Sequence, residues 1–377
     1  MIIFLGAGAS TPFEIPTMPG FIEIFDKLLN EHEIYCEIRD SFEKESFDLE
    51  ALMTILEDLS KDQNQFLRTI SPQTSNFLFN HIKRNEKNAK QILAHSKERR
   101  QEATNCLHQI KSIIRKKCFE AVQQRSNKIL QVYDQLFGIF KGSEIGNVTQ
   151  HAGDGILMYH SNLKIFTTNY DTCIETYLNR HQVLFTQGIV PRYGYNVFDI
   201  DSFDDRDDKV GLFKLHGSVD LFRKNGQIRQ LPVYTSEQGS TYLGEEFGEE
   251  LMRYPIEFGG YRNVIESPYL DLFRIFRDRI RNDHVWLLIG SSFRDITICS
   301  IINDVLRLQQ RGQNPIIILV NPSGKAIADR LEKWGMGSFS SLIRTVEQRF
   351  GTDECIKELG EVFNPQRTIR KKVPEKR

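Results

Sequence analysis

The chain opens on an apolar run, Met1-Ile2-Ile3-Phe4-Leu5, that stops at a glycine turn, Gly6-Ala7-Gly8-Ala9-Ser10. Apolar positions at Phe21, Ile24, Phe25 and Leu28 follow at helical spacing, so residues 1–29 spell strand, turn and helix. From about 30 to 150 the pattern is almost purely helical. Leu49, Leu52, Met53, Leu56 and Leu59 recur at intervals of three and four, which places them on one helical face. Residues 77–137 contain neither proline nor glycine, the strongest helix breakers. After about 155 the texture changes. Short β-rich runs occupy 164–168 (KIFTT), 210–217 (VGLFKLHG), 285–290 (VWLLIG) and 316–321 (IIILVN). Helical stretches at 269–282, 296–311 and 323–334 separate the later ones.

Continuous apolar strands alternating with helices belong to a parallel sheet covered on both faces. The pattern predicts an α/β protein with a Rossmann-like, doubly wound parallel sheet split by a large helical insertion domain. The core comprises residues 1–29 and 151–363, the insertion 30–150, and a basic tail, 364–377, is expected to fray.

Composition narrows the function classes. The 377 residues are 40% hydrophobic and include 26 Phe and 12 Tyr, enough to bury a core and to exclude disorder. The formal net charge is −1, so attraction to nucleic acid or a membrane surface would have to be local. Between 83 and 128, 13 Lys or Arg stand against 4 Glu. That excess reads as a contact surface for nucleic acid or an acidic partner, or more simply as the solvated face of long helices, since aromatics are sparse there. The acidic stretch 199–208 lacks EF-hand spacing and is expected to be a loop. Cys36, Cys106, Cys118, Cys173, Cys299 and Cys355 include no CxxC pair, which excludes a zinc ribbon and fits reduced, cytoplasmic thiols. No secretory leader and no apolar stretch near 18 residues is evident, so a cytoplasmic protein without a membrane span is expected.

Candidate chemistry sits where the strands end. Gly6 to Ser10 lie between a strand and a helix, where glycine lets a backbone approach a phosphate and a helix N-terminus offers free N–H groups. The third glycine of the dinucleotide fingerprint is missing, so this turn alone is a weak signal. Thr167-Thr168-Asn169-Tyr170-Asp171, Lys214-Leu215-His216-Gly217-Ser218, Gly290-Ser291-Ser292-Phe293-Arg294-Asp295 and Asn321-Pro322 each close a further strand. Doubly wound sheets bind ligands in the crevice at those carboxyl ends.

GAGAS, TTNYD, KLHGS, GSSFRD and VNP, in this order, resemble the NAD-binding core of the sirtuin family, and especially its divergent bacterial branch that depletes NAD in antiphage defence. The resemblance covers residues 1–29 and roughly 155–350. It implies that Gly6, Ala7, Gly8, Ala9 and Ser10 wrap the diphosphate of NAD, and that Asn169 and His216 are catalytic. Thr168 belongs to the same NAD-binding set, Asp171 helps hold the nicotinamide carboxamide, Gly290 and Ser291 form a second phosphate and ribose turn, and Asn321 meets the adenosine ribose. NAD is then the substrate, cleaved to nicotinamide and ADP-ribose. The chain departs from protein-deacylating sirtuins in lacking two CxxC pairs, so no zinc or other metal is expected. Their GIPDFR segment reads here Glu14-Ile15-Pro16-Thr17-Met18-Pro19, without its Phe and Arg. Residues 224–260 replace the region that would shape an acyl-lysine channel. These losses favour hydrolysis over the alternatives, a protein deacylase or ADP-ribosyltransferase, or a non-catalytic NAD- or ADP-ribose-binding assembly module. A self-standing NAD hydrolase would kill its host, so gating is expected through homo-oligomerisation or a partner chain, which the resemblance suggests is a HerA-type DNA-translocating ATPase or an Argonaute. The helical block is the natural contact surface, or a cover for the cleft.

Overall fold

A computed structural model describes residues 1–42, 49–62, 66, 70–84, 96–140, 149–150, 158–159, 163–192, 195–203, 209–225, 227–230, 248–252, 268–308 and 315–363. The basic tail, much of 224–260 and the acidic residues 204–208 lie outside the described residues.

The expected apolar runs are strands. Ile2–Leu5 (β1), Lys164–Thr167 (β2), Val210–Lys214 (β6), Val285–Ile289 (β10) and Ile316–Val320 (β11) lie side by side, joined by Phe185–Thr186 (β3) and Ile343–Val346 (β12) at the edges. The order is β12-β11-β10-β1-β2-β6-β3, and every pairing is parallel. Alternate side chains of each strand serve opposite faces, which is why the central strands are apolar at nearly every position. Ile3, Leu5, Ile165, Leu212, Leu287 and Ile289 enter one core layer, and Ile2, Phe4, Phe166, Phe213, Trp286 and Leu288 the other.

The helical block forms much of the first layer. Met18–Leu28 (α1), Glu33–Ser41 (α2), Leu49–Ser60 (α3), Pro72–Arg84 (α4), Lys97–Gln124 (α5) and Ser126–Ile139 (α6) share a continuous core with that face, together with Cys173–Arg180 (α7) and Asp353–Phe363 (α11). Leu49, Leu52, Met53, Leu56 and Leu59 are all buried there. Tyr269–Asn282 (α8), Ile296–Leu308 (α9) and Gly324–Lys333 (α10) cover the opposite face.

A second sheet stands beside the first and has no counterpart in the expected elements. Ile189–Arg192 (β4), Tyr195–Phe198 (β5), Gly217–Lys224 (β7), Gln227–Gln230 (β8) and Glu249–Met252 (β9) pair antiparallel in the order β9-β7-β8-β5-β4. It is tied to the helical block by charge. Arg115 of α5, 1% exposed, donates through Nη2 to the Glu250 carboxylate and through Nε to the Val219 carbonyl at 3.2 Å. Its guanidinium also lies 5.0 Å from the centroid of the Phe222 ring. Breaking a buried pair from one side strands the other charge, so Arg115→Ala is expected to cost about 3–5 kcal/mol in urea melts, with part restored by adding Glu250→Gln.

This pair also bears on the basic stretch. Arg99, Arg115 and Arg125 each meet a carboxylate from outside 83–128, namely Glu37, Glu250 and Glu14, while Lys116 and Lys117 flank Glu120. Arg99 and Arg115, the more buried of these, therefore serve contacts within the fold.

Candidate functional site

Register fixes where the functional loops start. Leu5 pairs with Thr167 and Ile289, Thr167 with Lys214, and Ile289 with Val320, which pairs with Val346. Glu347, Asn321, Gly290, Gly6, Thr168 and Leu215 therefore begin six loops along one rim of the sheet. At about 4.8 Å per strand the row from β12 to β6 is about 24 Å long. Chain order reverses between β10 and β1, because β1 continues to β2 on one side while β10 to β12 extend on the other. Crevices of this kind are the ligand sites of open α/β sheets.

A cavity of about 460 Å³ occupies the crevice. Its lining includes Gly6, Ala7, Gly8, Thr168, His216, Gly290, Ser291 and Asn321, eight of the residues expected from the sequence. Thr17, Met18 and Pro19, from the segment that replaces GIPDFR, line it as well. So do Arg294, Asp295 and Arg349, which the sequence did not single out by role. Among the described residues of the lining, two exposed guanidiniums, Arg294 and Arg349, outnumber the one carboxylate of Asp295, a balance that suits an anionic ligand.

The glycines at the centre have a packing reason of their own. Gly6 N–H donates to the Ile289 carbonyl at 2.8 Å and Gly8 N–H to the Gly290 carbonyl at 3.0 Å, so the two turns lie directly on each other. A Cβ on Gly8 would stand 2.7 Å from Gly290 Cα, and one on Gly290 would stand 2.2 Å from Ala9 N, with Gly290 also at φ +67°. Gly290→Ala is expected to lower stability by at least about 2 kcal/mol, from the left-handed backbone plus the clash, and to weaken nucleotide binding measured by calorimetry. Asn321 also has structural work, with Nδ2 donating to the Ser291 carbonyl at 3.1 Å and Oδ1 accepting Ser323 N–H at 2.9 Å. Ala9 is fully buried and lines neither cavity.

Ser10, Asn169 and Asp171 face a second, smaller cavity of about 50 Å³, next to the first through shared walls at Ala7, Met18 and Thr168. Asn169 Nδ2 donates to the Gly6 carbonyl at 2.9 Å and to Ser10 Oγ at 2.8 Å, and Ser10 Oγ donates to Asp171 Oδ2 at 2.6 Å. Both amide protons of Asn169 are thus committed, and its Oδ1 acceptor is what remains for a ligand. Leu49 of α3 and Ile114 and Cys118 of α5 complete the wall, so the helical block closes this end of the cleft.

Beneath the network lies a buried charge cluster. The Lys214 ammonium donates to the Asp171 carbonyl and pairs with Glu175 at 3.0 Å. Burial opposes that ammonium, but Glu175, Asp171 and Asp220 together hold it above the ordinary lysine value. Burial pushes Glu175 up to about 7 against the pull of Lys214. Burial first, then the nearby Asp171 charge, raises the Cys118 and Cys173 thiols well above the usual range, which keeps them from acting as thiolates.

His216 closes the far wall. It is 5% exposed, and its Nε2 lies 2.9 Å from Asp295 Oδ2. Phe293, buried in the left-handed region at φ +50°, turns the chain so that Arg294 and Asp295 reach the cavity. No sequence periodicity signals such a turn.

An open parallel sheet with glycine turns crossing at its switch point defines a Rossmann-like α/β protein. The family model for a SIR2-like domain matches residues 163–338, a little under half of the chain, and supports a SIR2-like assignment. SIR2-like domains use NAD, and the family is in general one of NAD-dependent enzymes. The match begins at β2, yet β1 with its glycine turn sits at the centre of the same sheet. No curated protein matches the sequence. Among the described residues, no group of three or more His, Cys, Asp or Glu side chains is placed to hold a metal ion, and no helix is long and apolar enough to cross a membrane.

Proposed function

We propose that this chain hydrolyses NAD at the nicotinamide–ribose bond, releasing nicotinamide and ADP-ribose. The observation that carries this reading is the arrangement along the rim. The Asn169–Ser10–Asp171 network and His216 stand at one end of a cleft whose centre is the crossed pair of glycine turns. A dinucleotide with its diphosphate at those turns has one half over β10 to β12 and its reacting half over β2 and β6. The glycosidic C–N bond breaks through an oxocarbenium-like state, and its electron pair passes to the nicotinamide nitrogen, which loses its positive charge. Water supplies the new C–O bond. Asn169 Oδ1 orients that water, and the His216–Asp295 pair accepts its proton on the Asp295 carboxylate, from which it returns to solvent. The missing CxxC pairs and the altered Glu14 to Pro19 segment favour water over an acyl-lysine as the acceptor. In the cell this activity would deplete NAD in antiphage defence, gated by self-assembly or by a partner such as a HerA-type ATPase or an Argonaute.

The test is chromatography of purified protein incubated, across a range of protein concentrations, with NAD labelled on its adenylate half. Equimolar nicotinamide and free labelled ADP-ribose support hydrolysis. Label retained on protein would make the chain a transferase. ADP-ribose binding without turnover at any concentration would make it a non-catalytic assembly module.

A further inference from the structure

We infer that Asp295 is the positioning residue of His216, fixing the imidazole as its Nε2–H tautomer and so deciding how the ring meets a ligand. The inference deepens the reading of the His216–Asp295 pair as the proton-accepting unit and rests on it: with Nδ1 sealed, the ring donates through Nε2 and the carboxylate is the pair's acceptor. It starts from the two oxygens of one carboxylate. Asp295 Oδ2 lies 2.9 Å from His216 Nε2, and Oδ1 accepts the N–H of Ile298 at 3.1 Å. The main-chain carbonyl of Asp295 accepts Cys299 N–H at 3.0 Å, so the residue caps the first turn of α9. Helix α9 thereby aims the carboxylate independently of the strand that carries the histidine.

The histidine is equally fixed. Leu215 N–H donates to the Thr167 carbonyl at 2.9 Å, and Gly217, at φ +82°, is packed so tightly that a Cβ there would stand 1.7 Å from the Leu251 carbonyl oxygen. His216 Nδ1 is sealed from solvent and has no hydrogen-bond partner among the described residues. A carboxylate only accepts, so Nε2 must carry the proton of the neutral ring. The other tautomer would place an N–H donor at sealed Nδ1 with nothing to accept it, the costlier kind of buried orphan. Partner chemistry and burial therefore select the same tautomer. Both residues line the 460 Å³ cavity, and Nδ1 is the ring nitrogen sealed from it.

Asp295→Asn separates this role from helix capping. Asparagine is isosteric and caps helices as well as aspartate does. It cannot satisfy both partners, however. With its oxygen toward His216, its NH2 faces the Ile298 N–H. Flipped, its NH2 faces Nε2 and drives the ring toward the Nδ1–H tautomer. The experiment records ring 15N resonances of His216 in 15N-histidine-labelled full-length protein, assigned by difference from His216→Gln, together with NAD turnover. The parent is expected to show the Nε2–H tautomer. Asp295→Asn is expected to shift it toward Nδ1–H or a mixture, with a lower melting temperature, because either orientation of the amide leaves one buried N–H without an acceptor. On the order of 10²-fold should be lost in kcat with KM within about threefold, as expected when the pair loses its carboxylate acceptor. An Nδ1–H or mixed tautomer in the parent would overturn the inference, and so would a variant with the parent's ring spectrum and kcat. The ring spectrum needs no NAD and the parent alone reports the tautomer, so a variant that fails to fold leaves the test decisive. If the tautomer shifts but the parent cleaves no NAD, the hydrolase reading fails while the Asp295 assignment stands.

Discussion

Replacing His216 by alanine is expected to lower nicotinamide release by about 10²–10⁴-fold while ADP-ribose still binds within a few fold of the parent. The asymmetry follows from the rim. His216 follows β6, three strands along the rim from β10, and meets the loop after β10 through Asp295, so Gly290, Asn321 and Arg349 in the outer half of the cleft keep their places. What is lost is the imidazole that shares the Asp295 carboxylate at 2.9 Å. Asn169→Ala should show the same split through a different atom. It removes the Oδ1 acceptor and also releases the Gly6 carbonyl and Ser10 Oγ from the hydrogen bonds that join the loops after β1 and β2. A modest drop in stability should therefore accompany its loss of turnover. Chromatographic rates paired with calorimetric binding of ADP-ribose check both variants, and equal losses of binding and turnover would argue against the assigned roles.

How much of this was legible in the sequence depends on burial. Strands covered on both faces are apolar at almost every position, so β1, β2, β6, β10 and β11 stand out as runs, and the loops after them line the cavity. The edge strand β12, Ile-Arg-Thr-Val, is only partly buried and carries no such run. The antiparallel sheet escaped notice for a related reason. Its strands are mostly four residues long and mix Pro191, Asn196, Arg223 and Gln227 with apolar positions, so they resemble loops. Asp295 was visible as a letter in GSSFRD, but its partner is 79 residues away and the left-handed Phe293 that aims it has no sequence signature. The glycines were legible as a phosphate-approach signal, whereas their mutual contact needed the β1–β10 pairing to be known. A count within 83–128 also omits the carboxylates that meet Arg99, Arg115 and Arg125, which come from other parts of the chain.

A stability effect as large as that of Arg115→Ala is expected at Lys214. Lys214→Met keeps much of the side-chain volume but removes the cation that faces Glu175, Asp171 and Asp220 in a fully buried setting, at an expected cost of about 3–5 kcal/mol near pH 8. The pH dependence tests the cause. Burial raises Glu175 from its ordinary 4.5 to about 7, so the folded chain keeps a proton that the unfolded chain has already released. That contribution is fully present below about 4.5 and is lost as pH rises through about 7, so parent stability should fall across this window. Glu175→Gln should flatten the slope. Lys214→Met removes the pull that opposes burial, so Glu175 should hold its proton to higher pH and the loss should extend above 7. Adding Glu175→Gln to Lys214→Met should restore part of the stability, since one stranded carboxylate disappears. Urea melts of the four proteins from pH 5 to pH 8 read all of these slopes, and a Lys214→Met penalty unaffected by Glu175→Gln would show that packing, not charge, sets it. Because the same ammonium donates to the Asp171 carbonyl, the double variant should regain stability without regaining full turnover: the loop that presents Asn169 and Asp171 would still lack its anchor from β6.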